Sequence, residues 1–211
     1  MALTAERKLT RVVIDLMRNP LFADMSGIFM MGSKEVSDDI PTAATNGRDE
    51  IYGRAFIDGL SLPEVAFVVV HESFHKMYRH LTTWKKLWDE DPQLTNMACD
   101  YVINCKLVDD NQDGFATMTG KLTIGCLDTK YRHWDSAQVF NDLLQNPPPS
   151  GGGGSSGFDA HDWDAAEAMT PEERNAVARD LDEAIRQGAL MAGKTGSGGD
   201  RDLTDLLTPQ V

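Results

Sequence analysis

The sequence predicts an α+β fold, and three observations carry that expectation. Short apolar runs bounded by turn residues read as strands of a small sheet, at Gly27 to Met31, Glu50 to Phe56 and Leu122 to Gly125. Two long segments, opening at Ser61 and at Asp91, carry helix-start signatures. The first half of the earlier one, Val65 to Val70, is apolar all round, which places that helix in the interior, beside the sheet.

Taken in order, Leu9, Val12, Val13, Leu16 and Met17 recur at three-and-four spacing, so Thr4 to Arg18 reads as an amphipathic helix ended by Asn19-Pro20 and packed on the sheet. Gly32 to Gly47 reads as a polar, turn-rich segment between the first two strands, and Gly53 weakens the second of these. Ser61-Leu-Pro-Glu64 combines a Ser three residues before a Glu with an early Pro, a capping box opening a helix that runs to about Leu81. Asp91-Pro92 opens the next, to about Val108. Asp135-Ser-Ala-Gln138 caps a short helix ending near Gln145, stopped by Pro147 to Pro149. Ser150 to Gly157 has linker composition, and Thr170-Pro171-Glu-Glu173 starts a last helix running to about Ala192. The expected organisation is a core over 1–146, a linker over 147–157 and a helical C-terminal segment over 158–211, packing over or near the core.

Composition excludes several function classes. Apolar residues at 41% and charged residues at 25% are ordinary globular usage, so neither disorder throughout nor a membrane protein is expected. A net charge of -13 would repel phosphate backbones and disfavours nucleic acid, while it would attract basic polypeptides. The N-terminus lacks a signal-peptide layout, and Cys99, Cys105 and Cys126 cannot all pair. A cytoplasmic location with buried thiols is the expectation.

The chemistry lies in His71-Glu72-Ser73-Phe74-His75, an HExxH. On a helix the two histidines stand one turn apart and both imidazoles reach one metal ion, while Glu72 sits about 100° around the axis, beside the metal's water. Chance matches fall on solvated segments, whereas this one continues a buried apolar run where idle imidazoles would be costly. The expected cofactor is Zn2+, which needs a third protein ligand and an open fourth position. His80 is a poor candidate, nine residues past His71 and on the far side of an uninterrupted helix, with no glycine to turn the chain back. Asn96, Asp100 and Asn104 line one face of the second helix, hemmed in by apolar residues. Asp100 is the expected third ligand, with Asn104 or Asn96 holding a ligand from behind; the alternative is Asn96 as ligand and Asp100 orienting a histidine.

These residues fall within stretches that resemble a bacterial and phage putative metallopeptidase family, whose longer members continue into a von Willebrand factor A-like domain. The matching stretches include IYGRAFIDGLSLPEVAFVVVHESFHKMYRH, NMACDYVIN, GCLDTKYRHWDSAQVFNDLL, Asp159-Ala-His161-Asp-Trp163 and the helix ending GALMAGK. The resemblance implies a zincin-like fold, His71, His75 and Asp100 as zinc ligands and Glu72 as catalytic base, while DLLTPQV departs from it, resembling the point where family members continue into the A-like domain.

Other motifs carry less. Gly188 to Thr195 satisfies GxxxxGK[ST], yet it ends a helix instead of joining a strand to one, so a glycine-rich helix stop is the better account. Asp109 to Gly114 matches half a calcium loop, with Gly120 where a bidentate Glu belongs. His161 is the candidate oxyanion donor, and Tyr131 and His133 are weaker ones. The four tryptophans are expected to pack. The function expected is zinc-dependent hydrolysis of a protein or peptide substrate, with Glu50 to Phe56 as an edge strand that pairs with it. A structural-zinc adaptor that binds another protein is the second reading, and the carboxylate of Glu72 argues against it.

Overall fold

A computed structural model describes residues 3–111, 113–147 and 168–195. Helix α1 (Ala5–Arg18) begins at the Thr4 cap, whose hydroxyl accepts from the Arg7 amide. Its buried stripe, Leu9, Val12 and Leu16, packs chiefly on the HExxH helix α4 (Leu62–Met77) and only marginally on the sheet, which corrects the expected placement. The capping box of α4 forms as the sequence predicts, Glu64 accepting from the Ser61 amide and hydroxyl.

Two expected strands are helical. Gly27 to Met31 lies within α2 (Ser26–Met30) and its cap, and Leu122 to Gly125 within a 3-10 turn (Gly120–Ile124) and its cap. A short apolar run has no period to choose between strand and helix. In α2, Phe29 enters the main core and Ile28 a second one, so apolar residues on both sides mark a wedge between two cores. The sheet comes instead from the segment read as polar turns: β1 (Lys34–Ser37), β2 (Ala43–Thr45) and β3 (Glu50–Gly53), followed at once by α3 (Arg54–Asp58). The order is β1-β3-β2, with β1 parallel and β2 antiparallel to β3. Glu50 to Gly53 is therefore the central strand, both its edges are taken, and it cannot pair with a substrate as expected.

After α4 the chain breaks at Arg79, in the left-handed region at φ 53°, and resumes as α5 (His80–Thr83) and α6 (Lys85–Glu90). Helix α7 (Pro92–Asp110) is capped by Asp91 and α8 (Ser136–Gln145) by its Asp135–Gln138 box, both as predicted. Helix α7 divides two cores, with Ile103 and Leu107 facing α4 and Met97, Ala98 and Cys105 facing α8. The last helix, α9 (Pro171–Thr195), runs straight through Gly188 and Gly193, so these glycines do not stop it. Their role is partly close packing: a Cβ on Gly188 would stand 1.9 Å from the Asp24 carbonyl oxygen, and one on Gly27 1.9 Å from that of Ala184. With no strand before it and no break within it, the GxxxxGK[ST] match has no phosphate-binding geometry. The stretch over 148–157 and His161 lie outside the described residues. No helix among those described is long and apolar enough to cross a membrane.

Candidate metal centre

Helices α4 and α7 meet where each carries polar side chains into the interior. His71, Glu72, His75, Asp100 and Asn104 are all 0% exposed. Burial of such groups costs several kcal/mol unless each is matched, and His71, His75, Asp100 and Asn104 lie close enough together to demand a chemical reason. His71 and His75, one turn apart, bring their Nε2 atoms to 3.0 Å. Asp100 Oδ1 stands 3.6 Å from the first and 3.3 Å from the second. Two imidazole nitrogens and one carboxylate oxygen thus form a group that could hold a metal ion, their atoms within 4.8 Å of one another.

The separations test the donor set. Three atoms bound to one tetrahedral zinc at about 2.0–2.1 Å lie about 3.3 Å apart. The observed 3.0, 3.3 and 3.6 Å straddle that value. Hard carboxylate and borderline imidazole donors also suit zinc chemically.

Asn104 fixes the chemistry of His71. Its Nδ2 donates to the Cys126 carbonyl at 2.9 Å, which leaves Oδ1 to face His71 Nδ1 at 2.8 Å. An amide oxygen only accepts, so Nδ1 carries the proton and Nε2 offers its lone pair into the site. On the second-helix stripe, Asp100 adjoins both histidines and Asn104 stands within hydrogen-bond reach of one of them. Asn96 is half-buried, one turn earlier.

His80 is the residue sequence reasoning placed wrongly. The helix is not uninterrupted, because Arg79 turns the chain through the left-handed region and folds His80 back, 2% exposed, with its Nδ1 3.1 Å from that of His75. It backs His75 as Asn104 backs His71. No glycine signals the turn, since Arg79 itself adopts φ > 0 at a cost of about 1–2 kcal/mol. The tie from Arg79 to Asp182 on α9 helps hold it there.

The other face of α4 meets a second buried polar cluster. Glu50, on β3, accepts from Lys76 and from the Tyr52 hydroxyl, pairs with Lys34 at 3.1 Å, and receives the Ser73 hydroxyl at 3.5 Å. Burial pushes the Glu50 carboxyl up, but Lys76, Lys34 and the Tyr52 hydroxyl together hold it below the usual carboxylate range. Burial, then the charges of Glu50 and Glu72, push the Tyr52 phenol well above its ordinary value.

The weaker oxyanion candidates are engaged or remote in character: the Tyr131 hydroxyl donates to Asp142 at 2.9 Å, and His133 is exposed on a left-handed turn. In the half calcium loop, Asp109 is taken by Arg132 and Asp113 accepts from the Phe115 amide. Trp84 and Trp88 pack around Leu81, and the three cysteines are free and buried.

Residues 8–208 match the model of a family described as a putative metallopeptidase domain. No curated protein and no solved structure matches the chain.

Proposed function

The chain belongs to that family of putative metallopeptidase domains, and from this premise we propose that it is a zinc peptidase whose ion is held by His71 and His75 through Nε2 and by Asp100 through its carboxylate. The observation that carries the reading is the triangle of 3.0, 3.3 and 3.6 Å between these donors. The zinc, when bound, supplies a Lewis acid that acidifies water and polarises a peptide carbonyl. Glu72, next to His71 on α4, takes the proton of the attacking water and hands it to the leaving amine. Asn104 and His80 hold the two imidazoles in the tautomer and orientation that present Nε2. His161 donates to the developing oxyanion in this reading.

One observation favours a second reading, a structural metal in a protein-binding module: the donors are fully buried, as in a site that only clamps α4 to α7. Glu72 separates the two. Purified protein and its Glu72→Gln and Asp100→Ala variants are analysed for zinc and for cleavage of unfolded polypeptides. The peptidase reading expects one zinc per chain in wild type and Glu72→Gln, little in Asp100→Ala, and a loss of about 10²–10⁴-fold in turnover for Glu72→Gln. Zinc without cleavage in wild type would establish the module instead, and no zinc would remove both.

A further inference from the structure

A cavity lined in part by His75 lies between the end of α4, the Asn46-Gly47 turn and helix α9. It holds about 440 Å³ of empty space, part of it open to solvent. Because that figure includes open solvent, the enclosed room is smaller and suits at most one side chain, not a folded partner. Leu81, Met169, Val177, Ala178 and Leu181 give it apolar walls. His75 both lines the cavity and belongs to the donor triad, so the cavity and the proposed metal site share that residue.

The charges at the cavity oppose those of the molecule. Arg79 and Arg174 both line it. Arg79 is neutralised by Asp182, while Arg174 is exposed. A net charge of -13 draws basic polypeptides to the surface, but a lysine or arginine side chain entering here would meet arginine.

We propose that this cavity is the specificity pocket of the peptidase and takes a neutral, apolar side chain of the residue bordering the scissile bond. The inference rests on the metal site proposed above. It also gives α9 a function: the C-terminal helix, tied to the centre through Arg79–Asp182 and to the sheet side through Arg48–Asp180, supplies one wall of the pocket.

Three hydroxamates that share a metal-binding headgroup and differ only in their tails provide the test: acetohydroxamate, isocaproyl hydroxamate and aminocaproyl hydroxamate. Binding to the cobalt-loaded full chain is read from its visible absorption. The expectation is that the isocaproyl compound binds about 10- to 100-fold more tightly than acetohydroxamate, from burial of its apolar tail. The aminocaproyl compound should gain nothing. Ala178→Phe, which fills the cavity, should abolish the isocaproyl advantage and leave acetohydroxamate affinity unchanged, which also shows that the variant is folded. Val177→Ala, a milder change, should shift preference toward longer tails. Equal affinity for all three compounds on the wild type, or a preference for the ammonium tail, would overturn the pocket while leaving the metal site standing. Failure of acetohydroxamate itself to bind would overturn the metal site and the pocket with it.

Discussion

Helix α4 carries two buried polar clusters on different faces, and they are built on opposite plans. On one, Glu50 is closed in by Lys76, Lys34, Tyr52 and Ser73, so an anion is met by cations within the protein. On the other, His71, His75 and Asp100 turn nitrogen lone pairs and a carboxylate toward one point, while Asn104 and His80 occupy the backs of the imidazoles. The first cluster sets two ammoniums around one carboxylate and pins the helix to the sheet. The second gathers electron pairs, which a cation would satisfy. Burial alone does not distinguish them; the sign and direction of the buried groups do.

Four experiments break or sharpen this contrast. Lys76→Met should cost the largest amount, about 3–5 kcal/mol by urea unfolding, because it leaves the buried Glu50 carboxylate with Lys34 as its one cation, and adding Glu50→Gln should recover most of the loss. Metal content per folded chain should be unchanged in both. Zinc at about 100 times its Kd should stabilise the wild type by about 2.7 kcal/mol over the chelator-treated protein, an increment absent in Asp100→Asn but kept in Lys76→Met. If Lys76→Met loses it too, the two clusters are one.

Behind the donors, Asn104→Leu and His80→Leu should each weaken metal affinity about 10- to 100-fold in competition with a chromophoric chelator. His80→Asn, whose side-chain oxygen can replace Nδ1 as acceptor, should restore most of it; no restoration would mean that His80 merely fills space. The smallest effect is in the pH profile. Burial, the largest influence on Lys34, pushes its ammonium down from 10.5 to about 8 in the folded chain. Above that pH the unfolded chain binds the extra proton, so stability should rise between pH 8 and 10, by up to about 2 kcal/mol. Lys34→Met should flatten that rise. Glu50 has the opposite window: held below 4.5 when folded, it contributes stability above that pH that is lost as acid protonates it.

Much of the site was legible in the sequence for local reasons. HExxH presents its histidines on one face because the helix period is fixed, and Asp100 and Asn104 share a face of α7 by the same arithmetic. Both capping boxes form within four residues of chain, and both were readable. The sheet was not, because Lys34 to Ser37 and Ala43 to Thr45 are short, partly polar strands whose partners lie several residues away. Gly27 to Met31 looked like a strand because only its two flanking cores make it a helix.

By itself, then, the sequence determined the long helices α1, α4, α7, α8 and α9, the caps of α4, α7 and α8, and which side chains share a face of α4 and of α7, since these follow from periodicities and contacts within one or two turns. Only the tertiary structure decided that β3 is central, that Arg79 folds His80 onto His75, and that α9 closes a cavity beside that histidine. Each of these depends on contacts beyond the local helical repeat: strand pairing, a strained turn held by Asp182, and glycines in face-to-face packing of α2 and α9. No local pattern encodes them, because the groups that stabilise each one come from different parts of the chain.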